Sequence, residues 1–183
     1  MRAAGRLTAM RHHPSRDLED APLPARTPLA DATEAGRQNA VDRSRIVRRR
    51  SAPLQHIVEA AARDYDVPIA LVSIIDRRRE YFAARTGITL DQAPREDALC
   101  LHVVRCPGEP VIALDTREDR RFASNPFVTG PPYVRFYAGV PLLDRAGYAL
   151  GALCLIDMKP REAAPSLFNL IRLAREAERL IDR

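Results

Sequence analysis

The sequence predicts an α+β domain of three layers, α/β/α, in which helices cover both faces of a central antiparallel sheet. Two apolar runs, at residues 69–75 and 149–157, show almost no alternation between apolar and polar residues. Such runs are typical of strands that are covered on both faces. The elements follow one another as helix, strand, strand, helix, strand, loop, strand, strand and helix, which places an antiparallel sheet between helical layers.

Helices are predicted in three segments of the domain. Apolar residues recur at helical spacing over residues 52–65, and Ser51 precedes them as an N-cap. A second helix is expected over residues 98–105, with Asp97 as its cap and a Pro-Gly stop behind it. In the last helix, over residues 166–181, apolar side chains alternate three and four positions apart, which predicts one buried face.

Five strands are predicted, and the segments between them carry turn signals. The strands are expected at residues 69–75, 80–86, 111–114, 134–143 and 149–157. Residues 144–147 form a hairpin turn in which Gly147 supplies the positive φ. Residues 122–132 contain three prolines and a glycine, so we expect an irregular loop of a size that often carries function.

Length and composition indicate one globular domain with a tail. The chain has 183 residues, of which 46% are hydrophobic and 29% charged. No apolar run approaches about 18 residues, so we expect no membrane span. Three cysteines without a disulfide-framework spacing predict a reducing, cytoplasmic location. Only Lys159 among the 29 basic residues is lysine, a bias typical of GC-rich bacterial genomes.

The positive charge lies at the start of the chain. Residues 1–52 hold 11 arginines and 6 acidic residues, which accounts for the whole net charge of +5 and leaves residues 53–183 neutral. A neutral domain argues against a specific nucleic-acid partner, which needs a basic stripe on a folded face. Residues 1–33 are predicted to be a disordered basic leader, residues 34–51 a linker with a short helix over 34–47, and residues 52–183 the domain.

The search for catalytic and metal-binding motifs is negative. The sequence lacks a phosphate-binding loop, a His-Glu-x-x-His zinc motif and a Gly-x-Ser-x-Gly nucleophile elbow. Cys100 and His102 could share a metal ion only on a strand, because residues two apart on a helix point about 200° away from each other. We therefore expect Cys100, Cys106 and Cys154 to be packing residues, with no catalytic residue and no metal ligand.

Two charged features have a structural and a functional interpretation. The dense charges of residues 115–121 favour a solvated, self-paired loop over acid-base chemistry. Arg135 stands at a strand start beside a Pro-Pro pair, where a guanidinium either braces the loop or binds an anion.

Several linked segments resemble the GAF domains of bacterial sensor histidine kinases and cyclic-di-GMP enzymes. They are RFASNPFVTGPP at 121–132, RFYAGVPL at 135–142, Gly147, LGALCLID at 150–157, VPIALVS at 67–73 and LCLH at 99–102. The resemblance extends over residues 52–183. It implies that the first and last helices of the domain pack together on one face of the sheet and that loops cover a ligand-sized pocket on the other face.

The resemblance also implies a regulatory function. We expect a stand-alone sensory domain in signal transduction that binds a small molecule or a signalling output protein without catalysis. The resemblance names no particular cofactor. The alternative is a thiol-dependent enzyme such as a free methionine-R-sulfoxide reductase, although the Cys-Asp signature of those enzymes is absent. The family's habit of helix pairing predicts a homodimer through the terminal helices, with Leu173 and Leu180 in need of cover.

The candidate ligand-binding residues cluster around the proline-rich loop. If residues 122–132 fold over the sheet as a lid, they enclose a pocket above Tyr137; otherwise the same apolar groups fill the space and leave no cavity. The candidates are His102, Phe122, Asn125, Phe127, Arg135, Tyr137 and Gly139.

Overall fold

A computed structural model describes residue 28, residues 33–46 and residues 51–182 of the chain. The helices are α1 (Glu34–Ser44), α2 (Ala52–Asp64), α3 (Leu101–Arg105), α4 (Pro126–Thr129) and α5 (Phe168–Ile181). The strands are β1 (Ile69–Ile75), β2 (Arg79–Thr86), β3 (Gln92–Pro94), β4 (Val111–Ala113), β5 (Phe136–Leu143) and β6 (Ala149–Asp157). A 3-10 turn, Arg95–Asp97, follows β3. The disordered leader predicted for residues 1–33 lies almost wholly outside the described residues.

Six strands form one antiparallel sheet in the order β3-β2-β1-β6-β5-β4. Strands β1 and β6 lie at its centre, and every residue in both is buried. Their lack of alternation thus has the expected cause, because helices or loops cover both faces. The predicted α+β fold with a central antiparallel sheet is confirmed.

The first face of the sheet carries the long helices. Alternate residues of β1, β5 and β6 pack against α1, α2 and α5 in one apolar core, and α2 contacts α5 directly. The expected pairing of the first and last domain helices is therefore present. Ser51 caps α2, since its hydroxyl accepts a hydrogen bond from the amide of Leu54.

The segment that was expected to be a linker packs against this core. Helix α1 lies within the predicted range, and its Ala40 and Val41 are buried. The Arg37 guanidinium reaches the end of β1, where it donates a hydrogen bond to the carbonyl oxygen of Ile75 at 2.7 Å. A helix with few apolar residues is thus held by a buried cation as well as by apolar contacts.

The second face is covered by short elements. Helices α3 and α4 and the loops around them enclose a second apolar core with the other side chains of β1, β5 and β6. This face has thinner cover than the first, because α3 has five residues and α4 has four.

Three local expectations are wrong. Asp97 ends the 3-10 turn, and the N-cap position of α3 is Cys100, whose side chain makes no capping hydrogen bond. Residues 122–132 are not irregular throughout, because Asn125 caps the short helix α4. Leu173 is 4% exposed and belongs to the first core, so it needs no cover from a second subunit.

The hairpin turn has the expected geometry, with Gly147 at a φ of 87°. None of the helices in the described part of the chain is long and apolar enough to cross a membrane.

Candidate ligand cavity

A cavity of about 80 Å³ lies on the second face, where β1, β2 and β3 meet the covering loops. A cavity needs roughly 15 Å³ for each water, so this space admits about five waters or an organic group of about five heavy atoms. Its wall consists of apolar residues and one acid: Ile69, Leu71, Glu80, Phe82, Ile88, Leu90, Ala93, Leu99, Cys100, Phe127, Pro132, Val134 and Ile156.

Glu80 reaches this wall because the turn between β1 and β2 pairs it with Ile75. The amide of Asp76 donates a hydrogen bond to the carbonyl oxygen of Arg79, and this two-residue turn fixes the register at that end of the hairpin. Glu80 therefore lies on the same face as Ile75, which belongs to the second core. The register pairs Ser73 with Phe82 but Val72 with Ala84, so a bulge beyond Phe82 places Ala84 on the first face.

The carboxyl group of Glu80 is buried in apolar surroundings. The residue is 4% exposed, and the hydroxyl of Ser73 donates a hydrogen bond to its Oε1 at 2.5 Å. Burial raises the pKa of Glu80, against the opposing effects of that hydrogen bond and of the neighbouring Cys100 thiol. A buried acid with a raised pKa beside a cavity is typical of functional sites.

A chain of neutral polar groups continues from Glu80 into the second core. The Tyr137 phenol donates a hydrogen bond to Cys100 Sγ at 3.3 Å, and the two sulfurs of Cys100 and Cys154 are 3.4 Å apart. Contact with Cys154 and burial raise the pKa of Cys100, and burial raises that of Tyr137. Cys100 and Tyr137 therefore stay protonated at neutral pH, and the Cys100 thiol is a poor nucleophile.

The roof of the cavity is positioned by Asn125. Its Oδ1 accepts a hydrogen bond from the amide of Phe127, and its Nδ2 donates one to the carbonyl oxygen of Asp97, both at 2.9 Å. The side chain of Asn125 thus joins α4 to the 3-10 turn. Phe127 is held by this link at the edge of the cavity.

Of the seven candidate residues, the structure places only Phe127 on the cavity wall. Phe122, Tyr137 and Gly139 lie deeper along the same face, under α3. The ring of Phe122 is 5.3 Å from that of Tyr137, and a Cβ at Gly139 would collide with the Tyr137 hydroxyl. Of the two interpretations of the space above Tyr137, these contacts fit the one in which apolar groups fill it.

The polar candidates point elsewhere. His102 packs edge-on against Phe122 at 5.0 Å, and burial together with the charges of Arg105 and Arg121 lowers the pKa of His102. Arg135 donates hydrogen bonds to the carbonyl oxygens of Val128 at 2.9 Å and Val134 at 2.8 Å. Of the two interpretations of Arg135, these contacts fit the bracing of the loop.

The charged loop at residues 115–121 is self-paired. Arg117 binds Asp115 and holds the pKa of that carboxyl at about 2, and Arg121 likewise pairs with Asp119. The side chains of Arg117 and Arg121 are about half exposed, so these charges are largely solvated.

The sequence reasoning missed Glu80 and most of the apolar wall. It placed Glu80 at the start of a strand and gave the residue no role. One signal was available: a single acid, two positions from Phe82, in the strand that follows a nearly apolar one. The cover that Leu99, Phe127 and Pro132 give to this face comes from distant parts of the chain and leaves no such mark in β2.

Comparison with known proteins identifies a relative in sequence. The chain is 39% identical over 136 residues to a cyclic di-GMP phosphodiesterase of Pseudomonas aeruginosa, a match of 74% of this chain and 23% of that relative. The chain thus corresponds to less than a quarter of that protein's length.

Two solved structures share the fold at low sequence identity. The GAF domain of an Acinetobacter phosphoenolpyruvate-protein phosphotransferase matches with a TM-score of 0.57 at 20% identity, over 82% of this chain and 94% of that one. A type II free methionine-R-sulfoxide reductase from Thermoplasma acidophilum matches with a TM-score of 0.58 at 13% identity, over 74% and 94%. The model of the GAF domain family matches residues 49–178, so the chain belongs to the GAF domain family.

Proposed function

We propose that this chain is a sensory domain in signal transduction that binds a small molecule in the cavity of the second face, without catalysis. The observation that carries the proposal is an apolar cavity with a single buried acid, Glu80, in its wall. Sites for small molecules are mostly apolar and use few polar groups to orient the ligand. Membership of a family found in signalling proteins supports the same function.

The sheet offers a route from the cavity to the long helices. Ile69 and Leu71 line the cavity, while Ala70 and Val72, which alternate with them along β1, pack in the core that holds α2 and α5. A ligand that pushes on β1 therefore acts on a strand whose other face supports both helices. Closely packed interiors transmit such shifts. We propose α2 and α5 as the surface through which an output protein reads the state of the cavity.

The test is an NMR titration of the ¹⁵N-labelled chain with small organic molecules of about three to six heavy atoms. We expect amide shifts in β1, β2 and β3, and their loss in Ala93→Leu, whose larger side chain enters the cavity. The exposed Ala123→Leu is the matched control and should bind as the wild type does. If no compound shifts these strands in the folded wild type, the small-molecule proposal is wrong.

A second candidate function is thiol-dependent reduction, as in the free methionine-R-sulfoxide reductases. The observation in its favour is the contact of 3.4 Å between the sulfurs of Cys100, on the cavity wall, and Cys154. The raised pKa of Cys100 weighs against it, because the thiolate is the reactive form. Turnover of free methionine sulfoxide that requires both cysteines, with Cys106→Ser as control, would favour this function.

A homodimer through the terminal helices is also part of the proposal. The support is now Phe168, which is 79% exposed at the start of α5, together with the partly buried Leu180. Sedimentation of the wild type as a dimer, and of Phe168→Asp with Leu180→Glu as a folded monomer, would support it. A wild type that sediments as a monomer at tens of micromolar would contradict the homodimer.

A further inference from the structure

We propose that the cavity binds a small primary amine, whose protonated nitrogen pairs with the Glu80 carboxylate and whose alkyl group of about three or four carbons fills the apolar part. This inference rests on the proposed function and names the ligand class of that site.

Glu80 is a buried acid without a positively charged partner in the described part of the chain. Within the described residues, no arginine, lysine or histidine lies within ion-pair distance of its carboxyl group. The hydroxyl of Ser73 is the donor to Oε1, and no positive charge contributes to the raised pKa. A buried acid of this kind is stabilised by any cation that reaches it. An ammonium group supplies both the charge and several hydrogen-bond donors.

The rest of the cavity wall offers no partner for an anion. Apart from Glu80, the cavity residues are apolar or, in Cys100, a neutral thiol. An anionic group on the ligand would therefore be buried without a partner, which excludes amino acids and favours an amine without a carboxylate. The volume of about 80 Å³ limits the ligand to about five heavy atoms.

Formation of the pair costs desolvation free energy. A buried ion pair usually contributes little net stability, because both ions lose their water. Here the Glu80 side chain has already lost its water in the folded protein, so only the amine is desolvated on binding. The ligand also replaces whatever proton the buried carboxyl holds, and that proton is released to solvent.

The release of a proton makes the affinity depend on pH. Because burial raises the pKa of Glu80, affinity should increase as pH rises toward and through that pKa, and then stay level until the amine itself loses its proton. The titratable groups near Glu80 are Cys100 at the start of α3 and Tyr137 of β5, with Cys154 behind them. Cys100 and Tyr137 have raised pKa values and remain neutral below pH 8, so they do not add to this dependence.

The experiment compares isobutylamine with isobutanol and isobutyrate, which share its carbon skeleton. Each is titrated into the ¹⁵N-labelled full chain at pH 8 and followed by the amide shifts of β1, β2 and β3. We expect isobutylamine to bind at least about tenfold more tightly than either analogue, as expected of a charged hydrogen bond in a buried site. Its affinity should fall between pH 8 and pH 5.

Variants test whether the Glu80 carboxylate, and not the cavity alone, gives the preference for the amine. In Glu80→Gln the preference for isobutylamine over isobutanol should fall by about tenfold. The weak affinity for isobutanol should stay within about threefold of the wild-type value. Glu96→Gln removes an exposed acid and should leave all three affinities unchanged. Glu80→Asp retains a carboxylate and should retain the preference, which keeps the test valid if Glu80→Gln fails to fold.

The outcomes distinguish the two proposals. Equal binding of isobutylamine and isobutanol, stronger binding of isobutyrate, or an unchanged preference in Glu80→Gln would overturn the amine assignment and leave the cavity as a small-molecule site. Absence of binding by all three compounds in a folded wild type, together with no response to the wider set of small molecules, would overturn both.

Discussion

Helix α1 should depend on one buried guanidinium for its attachment to the domain. Arg37 is 4% exposed, donates to the carbonyl oxygen of Ile75 at 2.7 Å, and binds both carboxylate oxygens of Glu34 at 2.8 and 2.9 Å. The test is Arg37→Met, which keeps an unbranched apolar stem and removes the charge and the donors.

The expected loss of stability follows from these contacts. The hydrogen bond from a charged group to a buried carbonyl contributes about 1.5 to 3 kcal/mol, and its loss leaves the Ile75 oxygen without that donor. The pair with Glu34 adds less than about 1 kcal/mol, because the Glu34 side chain is 55% exposed. We therefore expect the free energy of unfolding to fall by about 3 kcal/mol.

The assay is urea unfolding of the full chain at pH 7, with Arg43→Met as the matched control. Arg43 lies on the same helix, but its side chain is 63% exposed and 3.7 Å from Asp144. The control should cost less than about 0.5 kcal/mol. If the two variants differ by less than about 1 kcal/mol, the buried hydrogen bond does not hold α1 in the way argued from its geometry.

Three further perturbations test other parts of the structure. Gly151→Ala should lower the free energy of unfolding by about 3 kcal/mol or more in urea, because a Cβ there would lie 2.7 Å from a backbone carbonyl carbon of β1; a change below about 1 kcal/mol would contradict this. Arg37 and Arg95 lower the pKa of Glu34 to about 2. The contribution of this carboxylate to the free energy of unfolding is therefore complete above pH 4.5 and is lost as the pH falls toward 2. Because the side chain is half exposed, we expect the contribution to be about 1 kcal/mol and to be absent in Glu34→Gln. Cys100→Ala and Cys154→Ala should each cost about 1 to 2 kcal/mol in thermal unfolding, whereas the exposed Cys106→Ser should be nearly neutral; equal costs at all three would refute the packing argument.

Most secondary-structure elements could be read from local pattern. The limits of β1 and β6, the Ser51 cap of α2 and the positive φ of Gly147 follow from features within about ten residues of each position. The short capped helix α4 was missed because a four-residue helix among prolines has no period to detect. The burial of Leu173 was missed for a related reason. A helix pattern shows which face is apolar but not how much of that face a neighbouring element covers.

The attachment of α1 and the packing beside the cavity both depend on contacts between distant residues. Arg37 meets the end of β1, 38 residues away, and Cys100 meets Cys154, 54 residues away. Nothing in the local sequence around these residues specifies such partners, because they are set by the packing of the helices on the sheet.

The sequence by itself determined that this chain forms a GAF-like α+β domain, because doubly covered strands, turn glycines and helix caps are written in neighbouring residues. The tertiary structure decided where the cavity lies and which acid faces it. The physical reason is packing between distant segments: Leu99, Phe127 and Pro132 close over the face of the sheet on which Glu80 pairs with Ile75. No pattern within β2 itself specifies which loops cover that face.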